Sequence, residues 1–309
     1  MEYPNIARLR QHFEVPVVQD IPGTTQAEAG RMIREAGMKA GGTVAVAAGS
    51  RGITNYGSIV RNTVITLQKA GMEPFIIPAM GSHGGATSEG QLRVLAHYGI
   101  TETGMGCPLK SDIEPELIAE TNDGLPVYVD RNALQADHIV FVNRVKPHTD
   151  FEGDIGSGLM KMMAIGLGKQ KGASYYHGAV FQYGFERMIT SVARQVIVKT
   201  PVAFGMAIVE NAYDQTAHVV GIPVEGLEAR ERALFQESKR LMPKLPFEDI
   251  DLLVVDKMGK NISGTGMDTN VIGRRMQNFE GEPSTPRILR IFVRDLTPES
   301  EGNAVGIGL

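Results

Sequence analysis

Short apolar runs alternate with longer amphipathic stretches through the first two-thirds of the chain. Residues 43–48 (TVAVAA), 73–78 (EPFIIP) and 138–143 (HIVFVN) are apolar segments of strand length. Apolar runs without polar alternation are typical of parallel strands that are buried on both faces. Helical patterns separate them, over residues 25–40, 57–70 and 88–97. Because parallel strands need crossover connections, this alternation predicts an α/β fold: an open, largely parallel, Rossmann-like sheet with flanking helices.

Each of these three strands is followed by a loop with a basic side chain. The loops carry Arg51, His83 and His148 in chain order. In an open α/β sheet, ligands bind outside the carboxyl ends of the strands, where such loops converge. One arginine or histidine in a loop is usually only solvated. With three of them on successive strand ends, a shared functional site and simple solvation are equal alternatives.

A glycine-rich loop, residues 152–158, leads into a predicted helix over residues 159–167. Glycine allows close backbone approach, and a helix N-terminus attracts phosphate. Gly156, Ser157 and Gly158 are therefore candidate ligand-binding residues, although the loop has neither the Walker pattern nor the dinucleotide pattern GxGxxG.

Two histidines frame this loop and its lysine. Lys161 lies thirteen residues after His148, and His177 follows Lys161 by sixteen. An imidazole can bind a metal or transfer protons near neutral pH. A lysine amine can carry a covalent cofactor or act as a base when desolvated.

The last fifth of the chain is predicted to form a second, smaller α/β domain. A core helix (residues 181–196), a strand pair (residues 203–210 and 218–224) and a charged helix (residues 226–242) precede a break at Pro243 to Pro246. The Glu–Arg face of the charged helix is expected to be solvated. The break predicts domains at residues 1–243 and 247–309, with the site in the cleft between them. Lys260 lies in a polar loop of the second domain, from which it could reach across the cleft to a bound anion. The alternative is that this loop is only a flexible surface loop.

Composition narrows the class of protein. The chain has 309 residues, a formal net charge of −4 and one cysteine, Cys107. These values give no basic footprint for nucleic acid and no disulfide framework. There is neither an apolar run long enough to span a membrane nor the layout of a signal peptide. We therefore expect a soluble, cytoplasmic enzyme or small-molecule binder.

In four places the sequence resembles the lactate racemase family, which uses a nickel-pincer nucleotide. The turn with Arg51 resembles the family's carboxylate-binding turn, and the Gly-Ser-His sequence at His83 resembles its first catalytic-histidine loop. His148 and Lys161 are similar to the second catalytic histidine and the cofactor-bearing lysine, and His177 to the nickel ligand. The matching motifs lie between residues 43 and 268.

The resemblance implies a cofactor and its attachment. Pyridinium-3,5-bisthiocarboxylic acid mononucleotide nickel would be joined covalently to Lys161 through a thioamide, with Gly156, Ser157 and Gly158 beside it. Its nickel would take His177 as the protein ligand, and proteins of cofactor synthesis would be partners. Because family members are longer, a truncated or reduced second domain is expected.

The resemblance also implies racemisation or epimerisation of a small 2-hydroxy acid. One of His83 and His148 would remove the hydroxyl proton, hydride would pass to the cofactor, and the other histidine would serve on the opposite face. Arg51 would bind the carboxylate and Lys260 would stabilise the carbonyl oxygen. Polar residues beside His148, Asp150 among them, suggest a sugar acid as substrate.

Two other interpretations stay open. In one, a cofactor-free or divalent-metal isomerase or lyase uses His83 and His148 as acid and base on an aldonate-like acid. In the other, a non-catalytic protein binds an anionic ligand in the glycine-rich loop. The sequence does not determine the substrate or the oligomeric state, and a homo-oligomer is compatible with it.

Overall fold

A computed structural model describes residues 5–49, 52–149, 151, 153–274 and 285–308. Its helices and strands alternate in the order expected of an α/β protein. The strands are β1 (Thr43–Ala48), β2 (Glu73–Pro78), β3 (Pro115–Glu120), β4 (Pro126–Asp130), β5 (His138–Arg144), β6 (Val202–Glu210), β7 (Thr216–Pro223), β8 (Asp249–Val255) and β9 (Arg287–Val293). The α-helices are α1 (Ile21–Glu35), α2 (Tyr56–Lys69), α3 (Ser88–His97), α4 (Glu102–Met105), α5 (Arg131–Leu134), α6 (Leu159–Lys161), α7 (Lys169–Tyr183), α8 (Phe185–Lys199), α9 (Leu227–Leu241) and α10 (Thr269–Ile272).

The central sheet has five strands in the order β2-β1-β5-β6-β7. The first four are parallel, and β7 pairs with β6 in the antiparallel sense. This architecture confirms the predicted fold class, an open and largely parallel sheet with helices on both faces.

Side chains alternate between two apolar cores on the faces of this sheet. In β1, Val44 and Val46 pack in one core with side chains of α1 and α2. Ala45 and Ala47 belong to the other core, with residues of α6, α7 and α8. Burial on both faces explains why β1 and β2 read as unbroken apolar runs.

A smaller unit follows α9. Its strands β8 and β9 are parallel and form a separate two-stranded sheet. Met258, Met267, Ile272 and Ile288 form its small core. The predicted domain boundaries, 1–243 and 247–309, stay a prediction.

Three helices differ from the sequence-based assignment. The helix predicted over residues 159–167 is a short α-helix, α6, followed by a π-helical turn, Met162–Gly166. Helix α1 begins at Ile21 instead of residue 25, because Asp20 accepts a hydrogen bond from the Gly23 amide at 2.9 Å and so caps it earlier. The core helix predicted over residues 181–196 is two helices: α7 ends at Tyr183, and Gly184 turns the chain (φ +76°) before α8. Glycine adopts this φ at little cost.

Candidate active site

Three neighbouring strands direct the predicted loops to one edge of the sheet. Strands β2, β1 and β5 are adjacent and parallel, so their carboxyl ends lie on the same side. His83 follows β2 and His148 follows β5. The loop between them in space is the one that follows β1.

Arg51, the predicted carboxylate-binding residue of that middle loop, lies outside the described residues. The described residues beside it are firmly held. The Gly49 amide donates to the hydroxyl of Tyr56, which donates in turn to Val142 O at 2.9 Å. The Gly52 amide donates to the Tyr98 hydroxyl at 2.7 Å.

An ion pair that sequence reasoning missed supports the same loop. Arg144 and Glu210, at the ends of β5 and β6, bind each other and are largely buried. Glu210 Oε1 also accepts from the Thr54 amide at 2.6 Å. The pair therefore links three strand-end segments of the candidate site.

His83 has an exposed side chain, but the backbone of its loop is held by hydrogen bonds. Gln91 of α3 is fully buried, and its Nε2 donates to Gly81 O at 2.9 Å and to His83 O at 3.4 Å. The Gly81 amide donates to Gly166 O at 3.3 Å. The His83 loop thus packs on the segment between Lys161 and His177.

His148 lies against two aromatic rings. The ring centroids of Phe151 and Phe185 are 5.0 and 4.9 Å from that of the imidazole, and the two phenyl rings stack at 4.6 Å. Burial lowers the pKa of His148 well below its usual value, and the charges of Lys161, Lys146 and His177 lower it further. The imidazole is therefore neutral at pH 7 and able to accept a proton.

The smaller unit holds the backbone of the His148 loop. Asn270 Nδ2 donates to His148 O at 3.0 Å, and the hydroxyl of Thr269 donates to Thr149 O. Lys146, also missed by sequence reasoning, has its pKa lowered by burial and by Arg144, against the opposing effect of Asp268. The residues around Lys146 therefore include charges from both units.

Lys161 lies where α6 passes into a π-helical turn, Met162–Gly166. Such turns are often found at functional sites. Lys161 Nζ is 5.9 Å from the Phe185 ring centroid. His177 is exposed on α7, beside the buried Tyr176, whose hydroxyl donates to Pro126 O at 2.8 Å. His148 and Lys161 both lie against the Phe185 ring, and the charges of Lys161 and His177 both lower the pKa of His148.

Lys169 is a second unforeseen feature of this region, because sequence analysis assigns it no role. Its side chain is fully buried, with Nζ 2.6 Å from Asp130 Oδ2 and donating to Pro78 O at 2.5 Å. Its φ of +52° is in the left-handed region, which is strained for a residue other than glycine. Lys169 therefore connects the end of β2, before the His83 loop, to the start of the His177 helix.

The predicted cofactor-binding glycines have contacts within the protein. Ser157 and Lys146 exchange backbone hydrogen bonds of 2.8 and 2.9 Å, which close the His148 loop. A Cβ on Gly156 would overlap the ring of Phe235, and one on Gly158 would overlap the carboxylate of Glu231. Packing against α9 thus accounts for both glycines, and their contact with a cofactor stays a prediction.

Glu231 corrects the expectation that α9 presents only a solvated charged face. It is fully buried, and its Oε2 accepts from the Met160 amide at 2.9 Å. Burial raises the pKa of Glu231 to about 7, although the amides of Met160 and Leu159 act in the opposite direction. A protein carboxylate therefore occupies the amides that the sequence offered to a phosphate.

Asp150, the predicted substrate-binding carboxylate, lies outside the described residues. The nearby Asp154 is turned toward α9, where its Oδ1 accepts from Gln236 Nε2 at 3.0 Å. Lys260, the predicted catalytic lysine of the smaller unit, donates to Thr265 O at 3.1 Å and to Val305 O at 2.6 Å. Two of its three ammonium hydrogens are thus engaged within that unit, and its catalytic role stays a prediction.

The described residues include no group of three or more His, Cys, Asp or Glu side chains that could hold a metal ion. A nickel ion at His177 would need its other donors from a cofactor. The residues fit such a group in two respects: His177 offers one exposed imidazole, and Lys161 offers an amine nearby. They do not offer the α6 amides to its phosphate, since Glu231 has them.

These features define an α/β protein with a histidine–lysine cluster at the carboxyl edge of its parallel sheet. Residues 34–187, which include His83, His148, Lys161 and His177, match the family model of the lactate racemase N-terminal domain. The chain belongs to the lactate racemase family. No curated protein matches it.

Two solved structures have the same fold. A protein from Thermotoga maritima has a TM-score of 0.57 at 16% identity, and 80% of this chain matches 65% of that one. The lactate racemase apoprotein from Thermoanaerobacterium thermosaccharolyticum has a TM-score of 0.56 at 12% identity, with 79% and 60% of the two chains covered. The chain thus spans less than two-thirds of each neighbour. In the described residues no helix is long and apolar enough to cross a membrane.

Proposed function

We propose that this protein is a racemase or epimerase of a 2-hydroxy acid that uses a nickel-pincer nucleotide carried on Lys161. One observation supports it most: His148, Lys161 and His177 form a single electrostatic cluster in a chain of the lactate racemase family. The proposal includes a cytoplasmic location and cofactor-synthesis proteins as partners.

The bound nucleotide would supply a hydride acceptor next to a nickel ion held by the His177 imidazole. Lys161 would tether it through its amine. Packing against Phe151 and Phe185 lowers the pKa of His148 and keeps it neutral, which suits a base that removes the hydroxyl proton of the substrate.

His83, on the neighbouring strand end, would act as the acid and base for the opposite face of the substrate. Its imidazole would donate a proton to the carbonyl oxygen on that face, which is what inversion at the α-carbon requires of the protein. Arg51 would bind the carboxylate, and Lys260 would stabilise the carbonyl oxygen. Asp150 would hydrogen-bond a further hydroxyl, as expected for a sugar acid.

The experiment is turnover of a panel of 2-hydroxy acids, from lactate to aldonates, by protein produced with the cofactor and assayed in D2O. Transfer and return of hydride leaves the α-hydrogen in the product, whereas a cofactor-free acid–base isomerase introduces deuterium at the α-carbon. Retained hydrogen together with inversion supports the proposal.

Deuterium incorporation, or turnover without nickel, would transfer the assignment to the acid–base isomerase or lyase. Binding of a panel member without any turnover would favour the non-catalytic binder. His148→Gln and His83→Gln serve as the paired variants, and general acid–base catalysis predicts losses of about 10²-fold or more for each.

A further inference from the structure

Among the residues that the structure describes, Glu231 is the one residue of α9 whose carboxylate enters the core beside the turn Leu159–Lys161. Its neighbours in sequence, Glu228 and Arg232, form ion pairs at the surface. Glu231 is 0% exposed. A buried carboxylate is costly unless its oxygens have partners, so its contacts identify what it is there to hold.

Those contacts are the backbone of the turn that ends in Lys161. Oε2 accepts from the Met160 amide at 2.9 Å, and the Leu159 amide also favours the ionised carboxylate. The other oxygen, Oε1, is buried without a hydrogen-bond partner among the described residues and faces Gly158. Any side chain at residue 158 would displace it.

Core packing, in addition to the Glu231 carboxylate, restricts the movement of this turn. Leu159 and Met160 are fully buried, and the Leu159 side chain fills the space that a Cβ on Gly205 of β6 would need. Directly after Lys161 the chain widens into the π-helical turn, which lacks the regular α-helical bonding. Glu231 therefore binds the backbone of α6 directly before Lys161, at the point where the α-helix passes into the π-helical turn.

We propose that Glu231 is a positioning residue for Lys161, acting through the backbone of Leu159 and Met160 to fix the direction and surroundings of the lysine amine. The inference rests on the proposed function in one respect, that Lys161 is the residue that carries the cofactor.

The test measures the chemical reactivity of Lys161 in the cofactor-free full chain. Lysines are acetylated with isotope-coded reagent, and the rate at Lys161 is divided by that at Lys171, an exposed lysine of α7 in the same molecule. Glu231→Gln is compared with Glu237→Gln, a matched change at a surface glutamate of the same helix that pairs with Arg240.

Glu231→Gln is expected to change this ratio on the order of tenfold, since a charge-assisted hydrogen bond to the turn is lost. Glu237→Gln is expected to leave it unchanged. An unchanged ratio in a folded Glu231→Gln protein would overturn the inference. Loaded protein gives a second readout: the variant should lower kcat more than it raises KM.

Amide hydrogen exchange of the unmodified chain provides a test that does not depend on the variant's folding. The charged groups near Glu231 are Glu228 and Arg232 on its own helix, and Glu186 of α8, which pairs with Arg232. Because burial raises the pKa of Glu231 to about 7, protection of the Leu159 and Met160 amides, relative to core amides of α8, should fall as pH rises and Glu231 ionises. Constant relative protection would contradict the inference.

These readouts separate the inference from the proposed function. If no variant and no unmodified protein ever loads a cofactor, the proposed function fails, while the reactivity ratio still tests Glu231. If the cofactor loads normally and the Glu231→Gln ratio is unchanged, Glu231 is only a core residue and the proposed function stands.

Discussion

At the scale of single residues, the charge state of His148 follows from its surroundings. Burial is the largest cause of its lowered pKa, and the charge of Lys161 is the next. A histidine that is buried close to other positive charges stays neutral. The imidazole of His148 is therefore in the neutral state, which is the state that can accept a proton from a substrate hydroxyl.

Removal of the Lys161 charge should raise the pKa of His148 toward its usual value. We expect Lys161→Gln to raise it more than Lys146→Gln, since Lys161 has the larger effect. NMR titration of labelled histidine measures both, with Lys171→Gln as the control. A His148 pKa that does not move in Lys161→Gln would show that the two side chains are not close.

Glu231 should make stability depend on pH. Its folded pKa of about 7 exceeds its ordinary value of 4.5, so the folded state favours the protonated carboxyl. Its contribution to stability is complete below pH 4.5 and declines until pH is above 7. Glu231→Gln should remove this decline, on the order of 3 kcal/mol from the size of the shift.

Urea unfolding of Glu231→Gln and the unmodified chain at a series of pH values checks the sign. The difference in unfolding free energy between them should move in favour of the variant as pH rises from 4.5 to 7. A difference that is constant over that range would contradict the raised pKa.

Sequence reasoning could select His148, Lys161 and His177, because their motifs and spacing are local. It could not find Glu231, since a glutamate on a charged helix has the same local pattern whether it faces water or the core. Lys169 was missed for the same reason. Whether each of these side chains is buried depends on tertiary packing, which the hydrophobic periodicity of the sequence does not reveal.

At the scale of elements, a buried ion pair joins the segments around the site. Lys169 binds Asp130 and Pro78 O, while Asp130 Oδ1 also caps α5 by accepting from the amides of Asn132 and Ala133. The pair thus fixes the start of α7 against the ends of β2 and β4. Neither charge is exposed to solvent.

Asp130→Asn should destabilise the fold by about 3 kcal/mol or more, because it leaves the Lys169 ammonium buried without its counter-charge. Asparagine keeps the Oδ1 acceptor for α5, so capping is largely retained. Asp130→Asn combined with Lys169→Met should recover part of the loss. Chemical denaturation measures all three, and equal stability of the single and double variants would contradict this account.

Strands proved easier to predict than helices for a physical reason. The bounds of β1 and β2 are those predicted, since residues 44–48 and 74–78 are buried on both faces of the sheet. Helix α7 has no such signal: it begins with the polar Lys-Gln-Lys sequence and contains Gly172 and Gly178. Its place is set by Lys169 and by packing of Tyr176, which are tertiary effects.

At the scale of the whole molecule, the smaller unit contributes directly to the position of His148. Thr269 and Asn270, at the start of α10, hold two consecutive backbone carbonyls of the His148 loop. Substrate binding between the units would therefore act on the same loop that carries the proposed base. The sequence indicated a second unit but not this contact.

Asn270→Ala should loosen the His148 loop, with a loss of about 1 kcal/mol of local stability for one hydrogen bond. Faster amide exchange over residues 146–149 is the expected result. Asn303→Ala, which removes a side-chain acceptor for the Val305 amide, is the control. Equal exchange in both variants would show that the smaller unit does not hold the loop.

The proposed function requires that Lys161 carry a nickel-containing nucleotide. The most direct measurement is intact mass together with nickel content, on protein made in a host that synthesises the cofactor. Lys161→Arg keeps the positive charge but removes the amine, and Lys171→Arg is its matched control. A nucleotide-sized adduct with stoichiometric nickel in the unmodified protein and Lys171→Arg, absent from Lys161→Arg, is the predicted result. No adduct under conditions that load a known lactate racemase, or an equal adduct in Lys161→Arg, would contradict the claim.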